Sequence, residues 1–107
     1  MTKSFNVREP YLSYIKKGIK TIEGRLNKGK FADIKKDDIV LINDDFKVKI
    51  IGLNTYTTFK EMIMNEGIEK VIPNATSLDE AVNAYYKFYT KEQENEYGVI
   101  AIKMQLI

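Results

Sequence analysis

The chain contains no cysteine and no histidine, and these two absences exclude more chemistry than any residue present adds. Disulfides, thiol nucleophiles, Cys/His zinc centres and serine–histidine triads are all ruled out. Any catalysis has to run on Lys, Glu, Asp, Tyr, Thr or Ser. The acids are not tightly clustered, so no metal and no cofactor is expected. Long apolar runs are missing too. The stretches around Ile50–Leu53 and Gly98–Ile102 are far shorter than the roughly 20 residues of a spanning helix. The first eleven residues carry Lys3, Arg8 and Glu9 and do not read as a signal peptide. A cytoplasmic protein with no membrane partner is the expectation. A strong charge imbalance is also absent: 17 Lys and Arg stand against 15 Asp and Glu, a net +2, too mild to demand a polyanionic partner.

What remains is ordinary for a folded domain. Of 107 residues, 44% are hydrophobic and 30% charged, with only two prolines. That length suits one domain over residues 1–107, with a single modest core. No feature specifies an oligomeric state. The charge is unevenly placed: residues 16–36 hold seven Lys and one Arg against two acids, whereas 79–96 hold five acids against two Lys. One end of the domain is therefore expected to be basic.

Period-two alternation marks a first strand at Ser4–Val7. Pro10 suits the start of a helix over Tyr11–Lys17, with Gly18 as the residue that ends it. Lys20–Leu26 alternates again. Ile22, Gly24 and Leu26 fall on a core face, and Thr21, Glu23 and Arg25 on the other. Ile39–Asn43 and the strand from Phe46 read as a hairpin turned at Asp44–Asp45, with Gly52 marking a bulge before Tyr56. Thr58 with Glu61, and Ser77 with Glu80, are capping boxes for helices over about Phe59–Asn65 and from Ser77 to about Tyr89. "IEKVIP" reads as a short turn, and "TKEQENEY" as a turn or helical continuation before a last strand, Val99–Ile107. Hairpins with inserted helices indicate an α+β domain, a small curved sheet or open barrel. Neither GxxxxGK[ST] nor GxGxxG occurs, so the glycines are not those of a P-loop or dinucleotide fold.

The chemically interesting constellation lies where the first helix meets the second strand. Gly18, Lys20, Glu23 and Arg25 form G-x-K-x-x-E-x-R. This motif resembles that of the ASCH domain family, related to the PUA fold, and all four positions match. The segments "IKKDDIVLIN", "YTTFKEMIMNEGIEKVIP", "AVNAYYKFYTKEQE" and "YGVIAIKM" are similar to later elements of a small stand-alone subfamily. The resemblance implies a PUA-like β-barrel of about five to six mostly antiparallel strands, with the motif lining a cleft. It also implies RNA or nucleotide binding. Some small members resemble this chain in length and hydrolyse acetylcytidine, and others are reported as ribonucleases.

Two readings of the motif follow. As a binding module, Glu23 accepts from the exocyclic amine of a base, Lys20 donates to a carbonyl or phosphate, and Arg25 lines the cleft. Lys28 and Lys30 then contact phosphates. Tyr11, Tyr14 and Tyr56 offer stacking surfaces worth about 1–3 kcal/mol per base. As a hydrolase, Glu23 and Lys20 act as an acid/base pair. In the amidohydrolases a threonine resembles the residue at the Glu23 position; here Thr21, two residues away, is the nearest hydroxyl, and Glu80 or Glu94 is a candidate later carboxylate. Competing with both, Glu23–Arg25 is a structural salt bridge and Tyr14 a core residue. In the helix "AVNAYYKFY", Tyr85, Phe88 and Tyr89 read as core, with Tyr86 or Tyr89 as a possible base platform.

Overall fold

Residues 3–107 are described in the computed structural model. Five strands, β1 (Lys3–Phe5), β2 (Ile22–Leu26), β3 (Ile39–Ile42), β4 (Phe46–Tyr56) and β5 (Val99–Leu106), form one sheet in the order β1-β3-β4-β5-β2. The β1–β3 pair is parallel and the other three are antiparallel, so the sheet is mixed. The β3–β4 hairpin turns at Asn43 and Asp44, both in the left-handed region (φ 52° and 55°), which Asn and Asp tolerate best among residues with a Cβ. In β4 the register passes from Ile50 opposite Met104 to Gly52 opposite Lys103. Ile51 is therefore the extra residue of a bulge, and the strand bends there and runs on to Tyr56.

The sheet carries a core on each face. Ile100, Ile102 and Met104 of the central strand β5 join Phe5, Val40, Ile42, Val48 and Ile50 inside the curved sheet. Val99 and Ala101 of the same strand join Ile22, Leu26 and the helices on the outside. Alternation along β5 thus buries both sets of side chains, because each face has its own cover.

The expected barrel does not close among the described residues. β1 and β2 are the two edges of a half-barrel. β1 stops at Phe5 rather than Val7 because the Asn43 side chain takes over its pairing: the Val7 N–H donates to Asn43 Oδ1 (2.7 Å) and Asn43 Nδ2 donates to the Val7 carbonyl (3.0 Å). Beyond it the chain turns through a cis Glu9–Pro10 bond into helix α1 (Tyr11–Lys16), whose Ile15 enters the inner core.

Four helices follow β4 and cover the outer face: α2 (Phe59–Glu66), α3 (Ile68–Val71), α4 (Leu78–Tyr86) and α5 (Lys91–Tyr97). Thr58 and Ser77 cap α2 and α4, accepting from the N–H groups of Glu61 (3.0 Å) and Glu80 (3.1 Å). The first four residues of "IEKVIP", Ile68–Val71, are helical and not a turn, and "TKEQENEY" is a separate helix, Lys91–Tyr97, with Thr90 as its cap. Thr90 and Gln93 form a reciprocal capping box there, which stops α4 from continuing. Helix α5 also delivers the buried carboxylate of Glu94. Its Oε2 accepts from the Phe59 N–H at the start of α2 (2.8 Å), and its Oε1 accepts from the Tyr86 hydroxyl (2.7 Å).

Glu94→Ala strands both donors, and loss of hydrogen bonds to a buried charged acceptor costs about 2–3 kcal/mol. Urea unfolding is expected to show a loss of that size. Glu92→Ala, at an exposed site in the same helix, should change stability by less than about 0.5 kcal/mol.

Candidate functional site: the cleft at the open edge of the sheet

The end of α1 decides where the motif lysine goes. Gly18 has φ +75°, where a residue without Cβ is unstrained, and the N–H groups of Ile19 and Lys20 both donate to the Tyr14 carbonyl (2.9 and 3.1 Å). The chain reverses there, so Lys20 precedes β2 instead of lying in it. Strand alternation, which would have put Lys20 opposite Glu23, does not apply. Lys20 Nζ lies 3.3 Å from Glu23 Oε1. It also donates to the Ile22 carbonyl (2.6 Å) and to the Val71 carbonyl. Three acceptors meet the three donors of the ammonium.

Glu23 is held from its other side by Arg25. Nε and Nη2 of the guanidinium reach Glu23 Oε2 at 2.9 and 2.7 Å. Nη2 also donates to the Asn6 carbonyl (2.5 Å), just past the opposite sheet edge. Arg25 lies over the rings of Phe31 and Phe5, 4.7 and 5.2 Å from their centroids. One arginine side chain therefore fixes the carboxylate and bridges the gap that the strands leave open. Lys20 and Glu23 are only 2% and 6% exposed. Burial pushes the Glu23 carboxyl up, but Lys20 and Arg25 outweigh it and hold the group below the usual carboxylate range. Burial pulls the Lys20 ammonium down, against the opposing pull of Glu23. At neutral pH Glu23 is an ionised acceptor pinned between two cations.

Beside this triad lies a cleft of about 190 Å³, between the segment joining β1 to α1 and the C-terminal end of α4. Lys20, Glu23 and Arg25 all line it. Its aromatic walls are Tyr11, Tyr85, Phe88 and Tyr89. Tyr85 and Tyr89 both stack on Phe59, with centroids 4.3 and 5.4 Å away, so the wall is anchored in the core. Phe88 is 51% exposed, and the Arg8 guanidinium lies 4.8 Å above its ring. Arg8 also lines the cleft and takes part in none of the ion pairs among the described residues.

Gly24 opens the floor. Odd-numbered residues of β2 direct their main-chain groups to β5, as shown by Met104 N–H donating to Thr21 and Asn27 N–H donating to Gly98. Gly24, opposite Ala101, therefore turns its N–H and C=O outward at the sheet edge. A Cβ there would stand 2.6 Å from Met62 Cε and 2.8 Å from the Tyr85 hydroxyl. The absent side chain is what admits the Tyr85 phenol. That hydroxyl is buried with no hydrogen-bond partner. Burial, and then the charge of Glu23, raise its pKa well above the ordinary phenol value, so it is protonated.

The structure brings Lys20, Glu23 and Arg25 together, with the candidate stacking residues Tyr11 and Tyr89 in the cleft walls, and distributes the remaining candidates elsewhere. Thr21 lines a second, largely apolar hollow with Ile15, Met104 and Leu106, which Lys20 also borders and which Glu23 and Arg25 do not. Tyr14 packs near Tyr11 but does not line the cleft, and Tyr56 donates to Glu66 (2.5 Å) on β4. Lys28 and Lys30 lie over the rings of Tyr97 and Phe31, outside the cleft lining. Glu80 bonds Thr76 (2.6 Å), Glu94 caps α2, and Tyr86 is bound to Glu94. Sequence reasoning missed Arg8 and did not connect Phe88 with the cleft. Arg8 sits in the turn "REP", three residues before Tyr11, and only the fold brings it against α4.

With fold and geometry in place, comparison with known proteins places the chain in a class. The ASCH domain model matches residues 5–107, and the chain belongs to that family. Among solved structures, the crystal structure of the hypothetical protein PH0355 is similar over 100% of both chains, at 42% identity and a TM-score of 0.96. The solution NMR structure of protein PF0455 from Pyrococcus furiosus is similar over 100% of this chain and 98% of its own, at 35% identity and a TM-score of 0.86. No functionally curated protein matches.

The triad makes stability pH-dependent with a defined sign. Because the folded-state pKa of Glu23 is lowered, its contribution is complete above the unfolded carboxyl value of about 4.3 and is lost as pH falls through the folded value. Glu23→Gln is expected to flatten that acid limb in urea unfolding measured from pH 7 to 2.5. At pH 7, Lys20→Ala should cost about 3–5 kcal/mol, as for breaking any buried pair, and Thr21→Ala less than about 1 kcal/mol.

Proposed function

We propose that this ASCH domain binds RNA or a nucleotide by holding one unpaired base in the cleft. One observation carries the reading: an ionised carboxylate lies at the floor of a slot walled by Tyr11, Tyr85, Phe88 and Tyr89. Such a slot suits a flat ring with a hydrogen-bonding edge. Aromatic faces stack on any base, and the carboxylate accepts from an amine on its edge. The volume is below the roughly 300–1,000 Å³ that encloses a drug-sized ligand, which fits one ring system and not a run of nucleotides. Arg8, at the rim and without a carboxylate partner, supplies a phosphate contact. Lys28 and Lys30, exposed on the loop after β2, serve the flanking phosphates of a longer strand.

The geometry favours holding over hydrolysis. A general base works best with a pKa near the operating pH, and Glu23 is held low by two cations. An oxyanion needs free donors, and those of Lys20 are committed. The suspected hydroxyl, Thr21, faces another hollow. A hydrolase would show turnover of modified cytidines or of RNA that disappears in Lys20→Ala.

Fluorescence anisotropy with labelled single-stranded RNA tests the binding reading. Affinity should fall with salt, with a slope of about −0.7 per phosphate contact for single strands. Arg8→Ala should reduce that slope by about one contact. Phe88→Ala should weaken binding by about 1–3 kcal/mol and leave the slope alone. Salt-independent binding, or full affinity in both variants, would contradict the proposal.

A further inference from the structure

Cations held by aromatic rings instead of by acids mark a path away from the cleft. Arg8, at the rim, lies 4.8 Å above the centroid of Phe88. Arg25 in the cleft lining and Lys30 on the loop after β2 share the ring of Phe31, at 4.7 and 5.7 Å. Lys28 lies 4.6 Å from the centroid of Tyr97. Arg8, Lys28 and Lys30 are exposed, and none of them enters an ion pair among the described residues. Asp33, the acid nearest to Lys30 in sequence, pairs with none of them either.

The rings themselves are fixed by the fold. Phe31 closes the 3-10 turn Gly29–Phe31 and packs on Phe5, with centroids 5.6 Å apart, at the margin of the inner core. Tyr97 ends α5 and packs against the outer core. The Asn27 N–H donates to the Gly98 carbonyl (3.0 Å), which ties the start of the loop to the residue after Tyr97 and sets Lys28 beside that ring. An acid partner would order a lysine and neutralise it at the same time. A ring attracts the cation through its quadrupole and leaves the charge whole. Cations that are ordered and uncompensated are preorganised for an anion. Lys30 and Lys28 stand on different rings, one packed on the inner core and the other on the outer, so they suit separate phosphates of a strand and not a single phosphate group.

We infer that the partner of this cleft is a single strand of RNA, about four nucleotides or longer, and not a free nucleotide. The strand leaves the cleft across Phe31 and passes Tyr97, with Lys30 and Lys28 on its successive phosphates. This rests on the cleft being a base-binding site, and it makes Phe31 and Tyr97 positioning residues that act through the cations they hold.

Calorimetric titration of the whole chain with oligoadenylates, from the mononucleotide to about eight nucleotides, tests it. Affinity should rise with length and level off at about four nucleotides, when the unpaired cations are all engaged. Lys28→Gln should cut the ratio of longest-oligomer to mononucleotide affinity about fivefold and reduce the oligomer's salt slope by about 0.7. Tyr97→Leu keeps the lysine and an apolar side chain, and should cut the same ratio about threefold. A ring that serves packing alone would lower the melting temperature and leave the ratio unchanged. Phe88→Ala should lower both affinities and preserve the ratio. If Tyr97→Leu proves unfolded, Lys28→Gln decides alone. Affinity that does not grow beyond one nucleotide, or an unchanged ratio in Lys28→Gln, overturns the path but leaves the base site standing. Polyglutamate of matched charge binding as tightly as the longest oligomer overturns the assignment to a nucleic-acid strand. No binding of any oligoadenylate, the mononucleotide included, overturns the site itself.

Discussion

The buried ion triad of Lys20, Glu23 and Arg25 is the constraint on which the rest of the structure depends. Removing two opposite charges from water costs several kcal/mol per ion unless every remaining donor and acceptor is met. Here the requirement reaches into four segments. Lys20 needs the carbonyls of β2 and α3, Glu23 needs both cations, and Arg25 needs the Asn6 carbonyl and two phenylalanine rings. Packing of α3 against β2, the reversal after α1 and the approach of the two sheet edges are therefore linked through one cluster. Replacing such a cluster by apolar residues often leaves a protein equally stable, so stability alone is a weak reason for it. An ionised carboxylate facing a cleft is the property that an apolar substitute would lack.

The half-barrel explains why the cleft is where it is. A closed barrel has no edge, whereas this sheet ends at β1 on one side and β2 on the other. Arg25 spans the opening with a side chain, which joins the edges without filling the space beside them. Gly24 then turns main-chain groups that β5 does not pair toward the edge, and the aromatic end of α4 covers them. The end of α4 and the residues just after it serve core and cleft: the rings of Tyr85 and Tyr89 are packed on Phe59, and both residues line the slot. Rigid walls of this kind cost little entropy on binding, since the side chains are ordered before a ligand arrives.

Much of this was legible in the sequence, because the signals were local. Alternation marked the faces of β2, with Ile22 and Leu26 in the core, and turn chemistry marked the Gly52 bulge and a hairpin turn at Asp44–Asp45, which the structure centres one residue earlier, on Asn43 and Asp44. Thr58 and Ser77 marked two helix starts. The same rule applied to Thr90 and Gln93 would have separated α5. The motif located Lys20, Glu23 and Arg25. Long-range packing was not legible. Nothing near Arg8 signals that it will stack on Phe88, and nothing near Glu94 signals that it will cap α2, 35 residues earlier. Nor does a run of aromatics reveal which hydroxyl ends without a partner. Closure was not legible either: it needs pairing between β1 and β2, the two edges of the sheet, and here only the Arg25 side chain reaches across, to the Asn6 carbonyl.

The central claim is that Glu23 is a permanently ionised acceptor held between two cations, and not a base poised to take a proton. Its side-chain carboxyl ¹³C shift, followed by NMR against pH in the ligand-free protein, tests this most directly. The expected result is a single titration below the ordinary glutamate value of about 4.3, with the resonance of an ionised carboxylate throughout the range above it. A Glu23 carboxyl that takes up its proton between pH 6 and 8 would contradict the claim and return the cleft to acid–base chemistry.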